Sequence, residues 1–191
     1  MKSLILASAS PRRAELLRWA GFDFEIDPAS IDEHRLAGEH PTAMALRLSR
    51  IKALAKARID SLSLGADTMV FLQNRIFEKP SGPDEAVSHL EALSGRTHQV
   101  VTAFALARPQ NLIHHQAVIS QVTFRQLTRD MIDRYVQTGD GLDKAGAYGL
   151  QGLGGFMVET ISGSYTGVVG LPLTEVMEAL KNLRLISSSS K

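Results

Sequence analysis

Ser8-Ala9-Ser10-Pro11-Arg12-Arg13 gathers two hydroxyls and two guanidinium groups where a short strand should give way to a helix. The free backbone N–H groups and positive end of a helix favour an anion, and hydroxyl and guanidinium donors suit phosphate oxygens. The same hexapeptide reads equally as a helix cap followed by two solvated arginines. Carboxylates stand at two places: Asp67, expected where the strand Leu64-Gly65-Ala66 stops, and Asp32-Glu33, after a strand at 22–26. Strand ends open into the crevice of an α/β sheet. Two carboxylates converging there can hold one hard divalent cation, with phosphate oxygens and waters completing its shell; each alone reads as a solvated loop acid. Lys52, Lys79 before Pro80, and Lys144 add cations, and each by itself reads as a surface lysine. Gln151, in Tyr148-Gly149-Leu150-Gln151-Gly152, is an amide among glycines that let a ligand approach closely, or a turn filler.

The elements that must position these groups are legible in outline. A strand at 3–7 leads through Ser10, a good N-cap, and Pro11 into a helix over 11–20 closed by Gly21. Phe22, Phe24 and Ile26 alternate as a half-buried strand. A Pro-started helix follows over 41–59, its apolar stripe Met44, Leu48, Ile51 and Ala55. Strand runs at 62–66 and 69–72 reach a turn at 73–75, and a helix at 83–93 has Asp84 and Glu85 in its first turn. Two long β-type runs, 98–107 and 113–124, flank Pro109-Gln110-Asn111 and read as an antiparallel pair. A capped helix at 128–138, a glycine-rich stretch at 139–155, a strand at 156–161 and a last helix from Pro172 complete the chain. Strands alternate with helices while the central pair is antiparallel, so the fold class is α/β with a mixed sheet. No composition shift marks a linker; we expect one domain over residues 1–186 and a Ser-rich tail at 187–191.

Composition narrows the function classes. The chain has 191 residues, 44% hydrophobic and 21% charged, as in ordinary globular proteins, with a net charge of +1. That near-neutrality argues against a general nucleic-acid binder. The absence of cysteine excludes a disulfide framework, a thiolate zinc site and a Cys nucleophile. No apolar run approaches the ~18 residues of a membrane span, and the apolar stretch of residues 3–7 is shorter than the ~7–15 residues of a signal-peptide core, so it reads as a buried strand. There is no P-loop, G-x-G-x-x-G, G-x-S-x-G or H-E-x-x-H. His114 and His115 are adjacent, so on a strand they face opposite ways and do not make one site.

Taken in order, Ser8 to Arg13, Asp32-Glu33, Lys52-Ala53, Gly65 to Thr68, Lys79-Pro80, Leu93 to His98, Asp143 to Gly152 and Gly163 to Leu173 form a set that spans nearly the whole chain. This set resembles the Maf family of nucleoside triphosphate pyrophosphatases. The resemblance implies an elongated mixed sheet flanked by helices, with a central cleft, like the inosine triphosphate pyrophosphatases. It implies hydrolysis of a nucleoside triphosphate between its α and β phosphates, a divalent cation (magnesium or manganese), and a cytoplasmic protein that is often a homodimer; the charge balance and the lack of a spanning run add the expectation of no nucleic-acid or membrane partner. Arg12, Thr68 and Gln151 stand where the family's dTTP/UTP-hydrolysing branch carries these residues. A sister branch has Trp, Gln and Glu there. The family's link to septum formation supplies the rival expectation, a nucleotide-binding regulator of cell division without essential turnover.

On that resemblance, Asp67 and Glu33 are expected to hold the cation, with Asp67 taking a proton from the attacking water. Arg13, Lys52 and Lys79 would balance charge on the triphosphate, Ser8 and Ser10 would donate to its oxygens, and Arg12, Thr68 and Gln151 would meet the rest of the nucleotide. A Gln amide matches O4 and N3–H of uracil or thymine, but flipped it also matches cytosine. A guanidinium near O4 would discriminate, because it donates only.

Overall fold

The computed structural model describes residues 3–183; the tail at 187–191 lies outside the described residues. Strands β1 (Ser3–Leu6), β2 (Phe24–Ile26), β3 (Ser61–Leu72), β4 (Arg75–Phe77), β5 (Thr97–Arg108), β6 (Asn111–Phe124) and β7 (Val158–Ser162) form one sheet in the order β2-β1-β3-β5-β6-β7, with β4 paired to β3 off that path. β1 is parallel to both β2 and β3, whereas β3–β4 and β6–β7 are antiparallel. Only Pro109 and Gln110 separate β5 from β6, a hairpin connection that fits antiparallel neighbours. The sheet is therefore mixed and flanked by helices, as expected. The helices are α1 (Pro11–Trp19), α2 (Pro41–Ala55), α3 (Pro83–Leu93), α4 (Arg129–Gln137), α5 (Tyr165–Val169) and α6 (Leu173–Asn182).

The chain divides into two compact units. One comprises the chain up to Asp67, Thr102–Val118 and the chain from Gly170; the other comprises Thr68–Val101 and Ile119–Val169. In the first, Ile5, Leu6, Leu16, Leu17, Leu48, Leu62 and Leu64 are fully buried. In the second, one core cluster joins Val70, Phe77, Leu90, Leu93, Phe124, Tyr148 and Met157. Burial of one such side chain stabilises by roughly 1.5–3 kcal/mol.

Several local features differ from the sequence expectation. Asp67 does not end a strand: β3 runs unbroken from Ser61 to Leu72, and all of Ser61–Asp67 is buried. α2 stops at Ala55 rather than Ile59, because Lys56 N–H and Ala57 N–H turn back to Ala53 and Leu54 carbonyls and Arg58 pairs with Glu25 and Asp27. Ile59, freed from the helix, is 83% exposed. The buried stripe of α2 is also rotated, since Ala55 is exposed while Met44, Leu48 and Lys52, four residues apart, face inward.

Gly65 explains how Lys52 meets β3. A Cβ built at Gly65 would lie 2.2 Å from the Ser49 carbonyl oxygen and 2.5 Å from the Ala53 nitrogen. Only a residue without a side chain lets the α2 backbone lie this close to the strand.

Candidate active site

The charged centre lies in the first unit. Lys52, from the inward face of α2, donates to Asp67 Oδ1 at 2.6 Å and pairs with Glu33 Oε1 at 2.9 Å. The Lys52 and Asp67 side chains are 9% and 8% exposed, whereas Glu33 is 56% exposed. Burial pushes the Asp67 carboxyl above its ordinary range; Lys52 and Arg13 oppose the rise and Glu33 adds to it. A carboxylate raised in this way moves toward the pKa of a useful general base.

The turn after β1 supplies the donors. Ser10 caps α1, its Oγ accepting from Arg13 N–H at 3.5 Å, and Pro11 occupies the first helical position. Ser8 is buried, and its Oγ accepts from Arg13 Nη1 at 2.9 Å and from Ser10 N–H at 3.3 Å. Both bonds use Ser8 as acceptor, so its hydroxyl proton remains to be donated. Arg13 Nε donates to the Gly170 carbonyl at 2.8 Å, which fixes the guanidinium plane. Burial lowers the Arg13 pKa, Asp67 and Glu33 raise it, and Arg12 lowers it, so Arg13 lies within electrostatic reach of both carboxylates. A group normally ionised far above pH 7 stays cationic through such a shift.

Among the described residues no group of three or more His, Cys, Asp or Glu side chains is placed to hold a metal ion unaided. Asp67 and Glu33 are nonetheless two hard oxygen donors that meet at one cationic point, now the Lys52 ammonium. That set fits a divalent cation whose other positions are filled by phosphate oxygens and water.

The second unit carries Thr68, Lys79 and Gln151. Thr68 follows Asp67 on β3 and points to the other face of the strand. Lys79 is exposed, and the carbonyl of its neighbour Glu78 accepts from Gly146 N–H at 3.3 Å. Gln151 is half-buried in a stretch held from both sides. Tyr135 OH donates to Asp140 Oδ2 at 3.0 Å and accepts from Gly149 N–H at 3.1 Å. His98 Nε2 and Tyr148 OH are 2.9 Å apart, with His98, Phe124 and Tyr148 ring centroids within 4.8–5.6 Å in edge-on contacts. Burial drives the His98 pKa down to about 4, so this ring is neutral at pH 7. Lys144 is engaged by Asp140 and Asp143, at 3.3 and 2.7 Å.

Ser8, Ser10, Arg12, Arg13, Glu33, Lys52 and Asp67 thus share one unit, and Thr68, Lys79 and Gln151 the other. Sequence reasoning missed the supports: Gly65 under α2, the Glu39–Arg47 pair beside Glu33, and the Tyr135 and His98–Tyr148 bonds that hold the glycine-rich stretch. Gly65, His98 and Tyr148 stand in the ordered motifs, but only Gly65, a lone glycine inside a buried strand, carries a local signal of its role.

Residues 3–183 match the family model described as "Maf-like protein". A protein of Photorhabdus laumondii named dTTP/UTP pyrophosphatase is 49% identical over 183 residues, 94% of this chain and 93% of the relative. One of the same name from Escherichia coli O157:H7 is 48% identical over 189 residues, covering 97% and 95%. Among solved structures, a HAM1 protein from Coxiella burnetii aligns with TM-score 0.53 at 16% identity over 95% of this chain and all of that one, a likeness of fold alone. On the strength of the full-length family match and these relatives, the chain belongs to the Maf-like protein family.

Proposed function

We propose that this chain is a nucleoside triphosphate pyrophosphatase that hydrolyses dTTP and UTP, and 5-substituted pyrimidine nucleotides of the same edge pattern, to the monophosphate and pyrophosphate. The setting we propose is housekeeping of the cytoplasmic nucleotide pool. The observation that carries the reading is the buried Asp67–Lys52 pair, with Glu33 on the same ammonium and Arg13 within electrostatic reach. Relatives that carry the dTTP/UTP pyrophosphatase name over nearly their whole length support the substrate class.

Phosphoryl transfer needs positioning and charge neutralisation more than covalent chemistry. Arg13, Lys52 and Lys79 balance charge on the triphosphate, and Ser8 and Ser10 donate to its oxygens. Asp67 and Glu33 would hold a divalent cation, magnesium or manganese, which when bound would supply positive charge against the phosphates. A water oxygen bonds to phosphorus as the bridging P–O bond breaks, and Asp67 takes the water's proton. Gln151 and Thr68 meet the nucleoside. Arg12 near O4 would leave a buried donor facing cytosine's amine, an arrangement costing ~1–3 kcal/mol. Arg12→Gln is therefore expected to narrow the UTP-over-CTP preference in kcat/KM.

Pyrophosphate release from a panel of nucleoside triphosphates with added magnesium tests the reading. Release from dTTP and UTP ahead of CTP and the purines is expected. Binding of nucleotide with no release from any member would overturn it in favour of a regulator without turnover.

A further inference from the structure

We infer that Arg47 and Glu39 form a latch that holds the segment bearing Glu33 at the Asp67–Lys52 pair, making Arg47 a positioning residue for the reaction. Glu33 is more than half exposed and lies on residues 27–40, which carry no helix or strand. A carboxylate on such a segment keeps a fixed place only if the backbone beneath it is tied down.

Arg47 grips Glu39 with both arms of its fork, Nε to Oε1 and Nη2 to Oε2, each at 2.7 Å. Arg47 Nη2 also donates to the His34 carbonyl at 3.0 Å, one residue past Glu33. Glu39 closes the segment on itself: its carboxylate accepts from Leu36 N–H at 3.2 Å, and its carbonyl accepts from Arg35 Nε and Nη2 at 3.0 and 2.8 Å. The Glu39 side chain is 8% exposed, so this is a forked, largely dehydrated pair rather than a solvated surface bridge. The hydrogen bonds from Arg47 hold the Glu39 carboxyl below its usual range, and Glu39 raises Arg47, so both stay charged near neutrality.

Arg47 and Lys52 are carried by the same helix. One rigid element therefore presents the ammonium and grips the segment whose carboxylate must meet it. Arg47 also lies within electrostatic reach of Asp67, so its charge and its fork must be separated by experiment.

The inference rests on the catalytic reading of Glu33, and the test tells the two apart. Arg47→Met, Arg47→Lys and Glu39→Gln are assayed for kcat and KM on dTTP, alone and combined with Glu33→Gln, while amide exchange is followed over residues 32–39. Arg47→Met is expected to lower kcat by on the order of ten- to a hundredfold, as small misplacements do, with KM changed less than about twofold. Arg47→Lys keeps the charge without the fork and should show most of that loss. Added to Glu33→Gln, Arg47→Met should cost nothing further. Exchange over 32–39 should accelerate in Arg47→Met and in Glu39→Gln. Multiplicative losses in the combined variant, unchanged exchange, or full activity in Arg47→Lys would overturn the inference. Full activity in Glu33→Gln together with faster exchange would overturn it differently: the latch would exist, but the catalytic reading of Glu33 would be gone.

Discussion

The ionic centre around Lys52 and the glycine-rich stretch around Tyr148 hold buried polar groups by opposite means. At Lys52, two carboxylates and one ammonium lie within 2.6–2.9 Å, with Arg13 in reach. At Tyr148, a neutral imidazole, two hydroxyls and the Gly149 N–H do most of the holding, with Tyr135 OH ending on the Asp140 carboxylate, and glycines allow close packing: a Cβ at Gly154 would sit 2.5 Å from the Gly149 carbonyl oxygen. Charge in a dry site acts strongly on a polyanion but costs desolvation. Neutral hydrogen bonds cost less and are directional, which suits the recognition of an uncharged base edge. The division of labour we propose for the two regions follows from that difference.

The two regions also respond to pH with opposite sign. Asp67 has a raised folded pKa, so its stabilising contribution is full below the ordinary carboxylate pKa and is lost as pH rises through the folded value. His98 has a lowered one, so its contribution is present above 6.5 and is lost as pH falls toward about 4.

Breaking the ionic side should give the largest effects. Lys52→Met leaves Asp67 buried beside no ammonium, and urea unfolding should register a loss of about 3–5 kcal/mol. Added magnesium should restore part of it, because Asp67 and Glu33 would then have a cation to pair with. Gly65→Ala should cost about 1–3 kcal/mol or more through overpacking against α2, and should lower kcat as well, since the helix that moves carries Lys52. Equal activity in a destabilised Gly65→Ala protein would separate the packing from the chemistry. On the neutral side, unfolding free energy should fall by up to about 3 kcal/mol between pH 6.5 and 4 on account of His98. His98→Gln should flatten that slope. Tyr148→Phe is the mildest change, about 1–2 kcal/mol from one lost bond, visible as a small drop in melting temperature and as a shift in KM rather than kcat.

Local chemistry was easier to read in the sequence than distant pairing. Ser10-Pro11, Pro41 and Thr128 announce their helices because a cap needs only its own neighbours, and Thr128 Oγ1 does accept from Met131 N–H at 3.3 Å. A lone carboxylate belongs in water, so the sequence places Asp67 at a strand end; it stays inside β3 because Lys52, fifteen residues away on another element, meets it there. Lys52 is absent from the expected α2 stripe for the same reason. The short strand β4 and helix α5 were not foreseen, being three and five residues long with too little periodicity to register. The ordered motifs carry the candidate site residues and also Gly65, His98 and Tyr148, but not the pairings these supports make. Glu39 and Arg47 lie eight residues apart, and His98 and Tyr148 fifty, so no local pattern links them.

The central claim is that Asp67 is kept ionisable and dry for chemistry, at a cost to the fold. Its most direct test sets purified Asp67→Asn beside the unaltered chain, with dTTP and magnesium, following pyrophosphate release and thermal unfolding together. The account predicts at least about a hundredfold to ten-thousandfold less turnover, with a melting temperature no lower than the parent's, because the amide needs no charge desolvated. Retained turnover, or a collapse in stability that by itself explains the lost activity, would contradict it.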